Sequence, residues 1–147
     1  MTVTFVDTFF YLALILEDDQ YHARAVAASR ARRGRFLTTA WVLTEVADAL
    51  CEPPQRRLFT ELLTLLRSDP NTEIVAADQA VFDRGTDFYA RRPDKSWSLT
   101  DCISFVVMTD RRLTEALTGD HHFEQAGFRA LLREGCPPSE TARTSSS

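Results

Sequence analysis

Lysine is nearly missing from this chain. Lys95 is the only one among 147 residues, and arginine carries the rest of the positive charge. Acids outnumber bases, leaving a formal net charge of −4. That argues against a bulk nucleic-acid binder, whose affinity rests on a broad basic field and many phosphate contacts. It leaves room for an enzyme with a local acidic site that recruits cations. Cysteine is scarce and odd in number. Cys51, Cys102 and Cys136 lie far apart with no C-x-x-C pair, so neither a zinc site nor a disulfide framework is indicated. Buried free thiols in a reducing compartment are the expectation. Long apolar runs are also missing. Phe9 to Leu16 is far too short to span a bilayer. No basic residue precedes it, Asp7 stands just upstream, and Glu17-Asp18-Asp19 follow where a signal peptide would be cleaved. A cytoplasmic protein with no membrane association is expected.

The apolar share of 44% and charged share of 26% suit a globular chain, and 147 residues suit one domain around one core. The apolar pattern alternates between strand-like and helix-like stretches. Thr2 to Val6 is a short β-branched run, and Asp7-Thr8 opens a helix through Leu16. A helix is expected over Gln20 to Arg33, then a strand over Arg35 to Thr38. Thr39 caps a helix over Ala40 to Cys51, and a further helix covers Pro54 to Arg67. A strand over Thr72 to Ala76 precedes a helix over Asp78 to Arg92, in which Gly85 is a weak spot. After a loop at residues 93–97, Ser98 caps a helix over Leu99 to Arg112. Glu115 to Thr118 reads as a strand, His121 to Gln125 as a helical turn, and Phe128 to Leu132 as a last edge strand. From Gly135 onward Pro, Ser and Thr dominate, so a disordered tail over 135–147 is expected beyond a domain over 1–134. Alternating strands and helices imply crossover connections and a parallel sheet covered on both faces. Ligands bind such sheets at the carboxyl ends of the strands. Asp7 and Asp120 both stand where a strand runs out.

Four acids draw attention, and each has a plain structural alternative. Asp7 can serve as a helix N-cap. Glu45 falls mid-helix. Projected at about 100° per residue, it lies at the edge of an apolar face made of Val42, Leu43, Val46, Ala47, Ala49 and Leu50, whereas Asp48 faces water. A solvated boundary glutamate is the alternative there. Asp101 follows Ser98 at capping-box spacing. Asp120, after Thr118-Gly119, can be a turn or N-cap residue. Taken together, they are acids at element ends or face edges in a fold whose strand ends converge. Clustered carboxylates repel unless a counter-charge joins them. Hard divalent cations with oxygen ligands supply one, and such ions promote phosphodiester hydrolysis.

Four blocks carry a resemblance. They are Phe5-Val6-Asp7-Thr8, Thr39-Ala40-Trp41-Val42-Leu43-Thr44-Glu45-Val46, Trp97-Ser98-Leu99-Thr100-Asp101-Cys102-Ile103-Ser104-Phe105, and the stretch from Ala116 to Phe128 with its Thr-x-Asp-x-His-Phe pattern. In this order the chain resembles the PIN-domain ribonucleases, and among them the VapC-type toxins of bacterial toxin–antitoxin pairs. The resemblance implies a three-layer α/β/α fold with a short, mostly parallel sheet, and Mg2+- or Mn2+-dependent hydrolysis of single-stranded RNA. By position Asp7, Glu45, Asp101 and Asp120 would be the catalytic metal carboxylates, with Thr8, Ser98 and Thr118 as hydroxyls that orient them. Phe9 departs from the small polar residue many relatives carry there. The resemblance also favours a homodimer and an antitoxin protein partner, for which the apolar runs Phe9–Leu16 and Leu58–Leu66 offer surfaces; ordinary core is the alternative for both runs.

The remaining features are less specific. Arg91, Arg92 and Lys95 precede the Asp101 block and are candidate RNA phosphate contacts, with a loop of mixed charge as the alternative. Arg30, Arg32, Arg33 and Arg35 read as a solvated helix end. His121 and His122 are expected to pack or face solvent rather than ligate metal. Trp97 is either a base-stacking platform or a buried loop anchor. Two other functions compete with a toxin nuclease: a catalytically silent interaction module on the same fold, and a housekeeping RNA-processing nuclease. A phosphatase with an Asp nucleophile is disfavoured, because Phe9 stands where an Asp-x-Asp motif needs its second acid.

Overall fold

The structure is a computed structural model and describes residues 2–134. The expected tail over 135–147, with Cys136, lies outside the described residues. The elements run β1 (Val3–Val6), α1 (Thr8–Ile15), α2 (His22–Ala31), β2 (Arg35–Thr39), α3 (Ala40–Ala49), α4 (Arg56–Ser68), β3 (Thr72–Val75), α5 (Gln79–Arg91), α6 (Leu99–Asp110), β4 (Glu115–Leu117), α7 (His121–Gln125) and β5 (Arg129–Ala130). The five strands form one sheet in the order β3-β2-β1-β4-β5. Every pairing is parallel, so the sheet is more regular than the mostly parallel one expected.

That order sets the layers. From β1 the chain steps outward to β2 and β3, then returns across β1 to β4 and β5. Crossovers between parallel strands are right-handed, so the connections before and after β3 cover opposite faces and give three layers, α/β/α. The direction of winding reverses between β1 and β4, the switch point of an open parallel sheet. β1 is buried from Thr4 to Val6, as a central strand must be.

Local chemistry explains the element ends. The Thr39 hydroxyl accepts the Val42 amide at 3.1 Å and starts α3. The Asp78 carboxylate accepts the Ala80 and Val81 amides and starts α5. α2 begins later than Gln20 because Asp19 accepts the Tyr21 amide at 2.8 Å and holds a turn. α4 begins at Arg56, with Pro53-Pro54 left in the preceding turn. β5 is only a two-residue strand; it follows Gly127, whose φ of +96° is a left-handed conformation that glycine tolerates.

Gly85 has a positive reason to be glycine. It is buried against α6, and a Cβ there would run into the Ile103 side chain. The close approach of α5 and α6 depends on that missing atom. The aromatic core then reaches toward the strand ends. Phe105 packs edge-on against Phe123 with centroids 4.9 Å apart and against Trp97 at 5.1 Å. Each such ring contributes roughly 1.5–3 kcal/mol through burial, and together they pin the loop before α6 and the short α7 to the sheet.

Two readings of side-chain placement need correcting. Cys51 is exposed rather than buried, because it follows the end of α3; Cys102 is buried as expected. Ala49 is exposed, so the apolar face of α3 is narrower than its sequence suggested. Among the described residues no helix is long and apolar enough to cross a membrane.

Candidate active site

The carboxyl ends of β1 and β4 lie side by side, paired at Val6 and Leu117. Asp7 is the next residue after β1, and Thr118, Gly119 and Asp120 follow β4. α3 brings Glu45 and the start of α6 brings Asp101. Asp7, Glu45, Asp101 and Asp120 line one open cleft, with Thr8, Phe9, Leu12, Ser96, Ser98 and His122.

Asp7 stands at the N-cap position of α1, yet its carboxylate makes no capping hydrogen bond. It turns instead to Thr118, whose hydroxyl donates to Asp7 Oδ2 at 2.9 Å across the switch point. The residue is only 5% exposed. Burial first, and then the charges of Asp101 and Asp120, push its pKa up from 3.8 to about 7, against the Thr118 hydrogen bond. Asp101 is also buried. Its pKa is raised by burial and by the charge of Asp120, while the Ser98 amide and His122 oppose the rise. Glu45, half-buried, is raised by burial and then by Asp101 and Asp48, with the Thr8 hydrogen bond opposing.

The three expected orienting residues are all present, in two different ways. Thr8 donates its hydroxyl to Glu45 Oε1 at 2.7 Å. Thr118 holds Asp7 and also accepts the Asp120 amide at 3.1 Å, tying two acids to one side chain. Ser98 works through its backbone: its amide donates to Asp101 Oδ2 at 3.1 Å, and its hydroxyl accepts the Asp101 amide at 3.0 Å. This reciprocal pair is a capping box. Asp120 likewise caps α7 by accepting the His122 amide at 2.9 Å. For both acids the structural role is genuine and costs only one oxygen. Asp101 Oδ1 and Asp120 Oδ2 accept no hydrogen bond among the described residues.

No lysine or arginine forms an ion pair with any of these four acids among the described residues. Two histidines approach them, and the nearer is His122, a residue sequence reasoning set aside. Its Nδ1 lies 3.2 Å from Asp101 Oδ2 and 3.3 Å from Asp120 Oδ1. His121 fits its expected surface role, exposed and 3.7 Å from Asp120. Asp120, His121 and His122 can place one ligand atom each within 4.8 Å of one another, a spacing that could hold a metal. The four acids line the cleft together. That suits a Mg2+-like ion, which keeps several waters and takes one or two carboxylates directly.

Arg91, Arg92 and Lys95 do not enter the cleft. Arg92 pairs with Asp94 at 3.0 and 3.1 Å and lies 4.8 Å over the Trp97 ring. Trp97 is 4% exposed, and its indole N–H donates to Gln125 Oε1 at 3.0 Å. It is therefore the loop anchor and not a stacking platform. Its burial turns the arginines to the far side of the loop. Phe9, the departure from the family pattern, lays its ring against Gly119, where a Cβ would collide with it, and walls the cleft without displacing an acid.

A three-layer α/β/α fold with carboxylates gathered at the switch point of its sheet defines a class of acid-centred α/β proteins. The PIN domain family matches residues 4–129, and the chain belongs to that family. The chain is similar to a crystal structure of VapC20 from Mycobacterium tuberculosis, described as a sarcin–ricin-loop-cleaving toxin. The TM-score is 0.78 and the identity 23%, over 86% of this chain and 96% of that one. It is also similar to VapBC2 from Rickettsia felis, determined bound to a DNA fragment from its promoter. There the TM-score is 0.62 and the identity 10%, over 88% and 97% of the two chains. At these identities the likeness is one of fold. A search of the curated proteins gives no match.

Proposed function

We propose that this chain is a metal-dependent endoribonuclease that cleaves single-stranded RNA, acting in the cytoplasm as the toxin of a toxin–antitoxin pair. The observation that carries this reading is the set of acids at the switch point. Two of them are buried, three have raised pKa values, and none is paired to lysine or arginine among the described residues. Such a set is unfavourable by itself and becomes favourable around a hard dication. Membership of the PIN domain family and the likeness in fold to an RNA-cleaving toxin point the same way.

Asp7 and Asp101, the most buried acids, would hold Mg2+ or Mn2+, with Glu45 and Asp120 completing the set. The ion would supply an acidified water and relief of the charge that builds on the scissile phosphate. Thr118 fixes Asp7 and Asp120 relative to each other, Thr8 fixes Glu45, and the Ser98 backbone fixes Asp101. Their task is to keep carboxylate oxygens aimed into the cleft at no cost in reorganisation. His122, between Asp101 and Asp120, is placed to orient both.

The antitoxin and a second copy of the chain would use the apolar faces of α1 and α4. On α4, Leu65 is 66% exposed, while Leu58, Phe59, Leu63 and Leu66 are only partly covered. The complete acid set disfavours a silent interaction module, and an adjacent reading frame for a small DNA-binding partner would separate toxin from housekeeping nuclease. The deciding assay incubates the protein with tRNA, rRNA and mRNA, with Mg2+, with Mn2+ and with chelator. Metal-dependent cuts that disappear in Asp7→Asn support the reading. Undiminished turnover in that variant overturns it.

A further inference from the structure

A second depression lies between α5, α6 and the turn from α7 to β5, with a volume of about 320 Å³. Four aromatic residues line it: Phe88 and Phe128, half-buried, and Trp97 and Phe105, buried. Three arginines, Arg84, Arg91 and Arg92, stand on its lining against a single acid, Asp87. Arg84 is held by Asp110 and Arg92 by Asp94. The Arg91 side chain is exposed and makes no ion pair or hydrogen bond among the described residues.

This groove and the carboxylate cleft are the two sides of one ridge. In the loop before α6, Ser96 and Ser98 line the cleft while Trp97 between them lines the groove. In α7, Asp120 and His122 line the cleft, and Gln125 and Ala126 line the groove. The hydrogen bond from the Trp97 indole to Gln125 ties the ridge together and leaves the Gln125 amide nitrogen as a donor. A polymer leaving the cleft over this ridge would meet the groove.

We propose that this groove is a subsite for a neighbouring nucleotide of the RNA, its base against Phe88 and Phe128 and its phosphate at Arg91. The inference rests on the ribonuclease reading. The chemistry selects RNA over a protein segment. An aromatic recess rimmed by guanidinium groups matches a base flanked by phosphates, whereas an apolar helix would have to strip water from those groups and give nothing back. The subsite also gives an acidic chain one exposed guanidinium, outside any ion pair among the described residues, beside the cleft for an anionic substrate.

The test uses a fluorescein-labelled single-stranded RNA of about ten nucleotides and full-length protein carrying Asp7→Asn, so that the probe stays intact. Anisotropy gives Kd. Adding Arg91→Glu weakens binding about tenfold and lowers the slope of log Kd against log salt by about 0.7. Arg91→Lys keeps most of the affinity, and Arg67→Glu on α4, the same charge change at a distance, leaves it intact. Arg91 is exposed, so folding is preserved, which thermal melting checks. Unchanged binding in Arg91→Glu overturns the subsite, as does an equal loss in Arg67→Glu. Loss of self-association in place of RNA binding, read by sedimentation, makes the groove a protein face and also overturns it. With the acids restored, Arg91→Glu raises KM on the long RNA and changes kcat little. RNA that is bound through Arg91 yet never cut would remove the ribonuclease reading and leave the subsite standing.

Discussion

Replacing Asp7 by Asn in metal-free protein should stabilise it, and the gain should grow with pH. The folded-state pKa of Asp7 is about 7 against an ordinary 3.8. Between those values the folded chain holds a proton that the unfolded chain has released. Stability therefore falls as pH rises through that window and levels off above it. At about 1.36 kcal/mol for each pH unit, the cost of ionising Asp7 grows by roughly 2.5 kcal/mol from pH 5 to pH 8. Asn keeps an oxygen for the Thr118 hydroxyl and has nothing to ionise, so the variant escapes the cost. For a domain of this size, about 2–4 °C accompanies each kcal/mol. The Tm difference, variant minus wild type, should then widen by roughly 5–10 °C between pH 5 and pH 8. Differential scanning calorimetry with chelator present reads it. A difference that stays flat or shrinks with pH would refute the electrostatic account of the cleft and return Asp7 to a purely structural role.

Other consequences are independent of that one. Mg2+ or Mn2+ should raise the wild-type Tm in proportion to the logarithm of the ion concentration above Kd, and Asp7→Asn should lose most of this response, as thermal melts in a metal titration would record. Thr118→Val removes the donor to Asp7 and the acceptor for the Asp120 amide, so kcat on RNA should fall about 10–100-fold while circular dichroism stays native. Gly85→Val puts a side chain into Ile103, and urea unfolding should show a loss of roughly 1–3 kcal/mol or more. An unchanged midpoint there would mean that α5 and α6 are not held at the distance described.

Much of the architecture could be read directly because local rules and global packing agree. β-branched runs became the parallel strands, Thr39 capped α3, and the Ser98–Asp101 spacing became a capping box. The acids were legible for a related reason. A carboxylate just beyond a buried strand has only the strand-end cleft to occupy, and the α3 projection set Glu45 at the edge of the core. What was not legible depended on contacts that one element's sequence does not encode. His122 reaches Asp101 because α7 is folded back on the start of α6 by the Phe105–Phe123 packing. The one local hint was its place two residues after an N-cap acid, at the same end of the helix. Arg91, Arg92 and Lys95 precede Asp101 in the chain but stand beyond the ridge that buried Trp97 makes. Their order along the chain does not tell that they stand beside the cleft and not in it. Cys51 looked like a core thiol by residue type, whereas its position past the last turn of α3 exposes it.

The most direct measurement is an anomalous difference map from a crystal soaked in Mn2+. The account requires a peak in the cleft with carboxylate oxygens of Asp7 and Asp101 near 2.1–2.2 Å, roughly the Mn–O bond length for a hard octahedral ion, and with Glu45 and Asp120 bonded to the ion or to its waters. A cleft without a peak at saturating Mn2+, or a peak held elsewhere with these acids turned away, would contradict it.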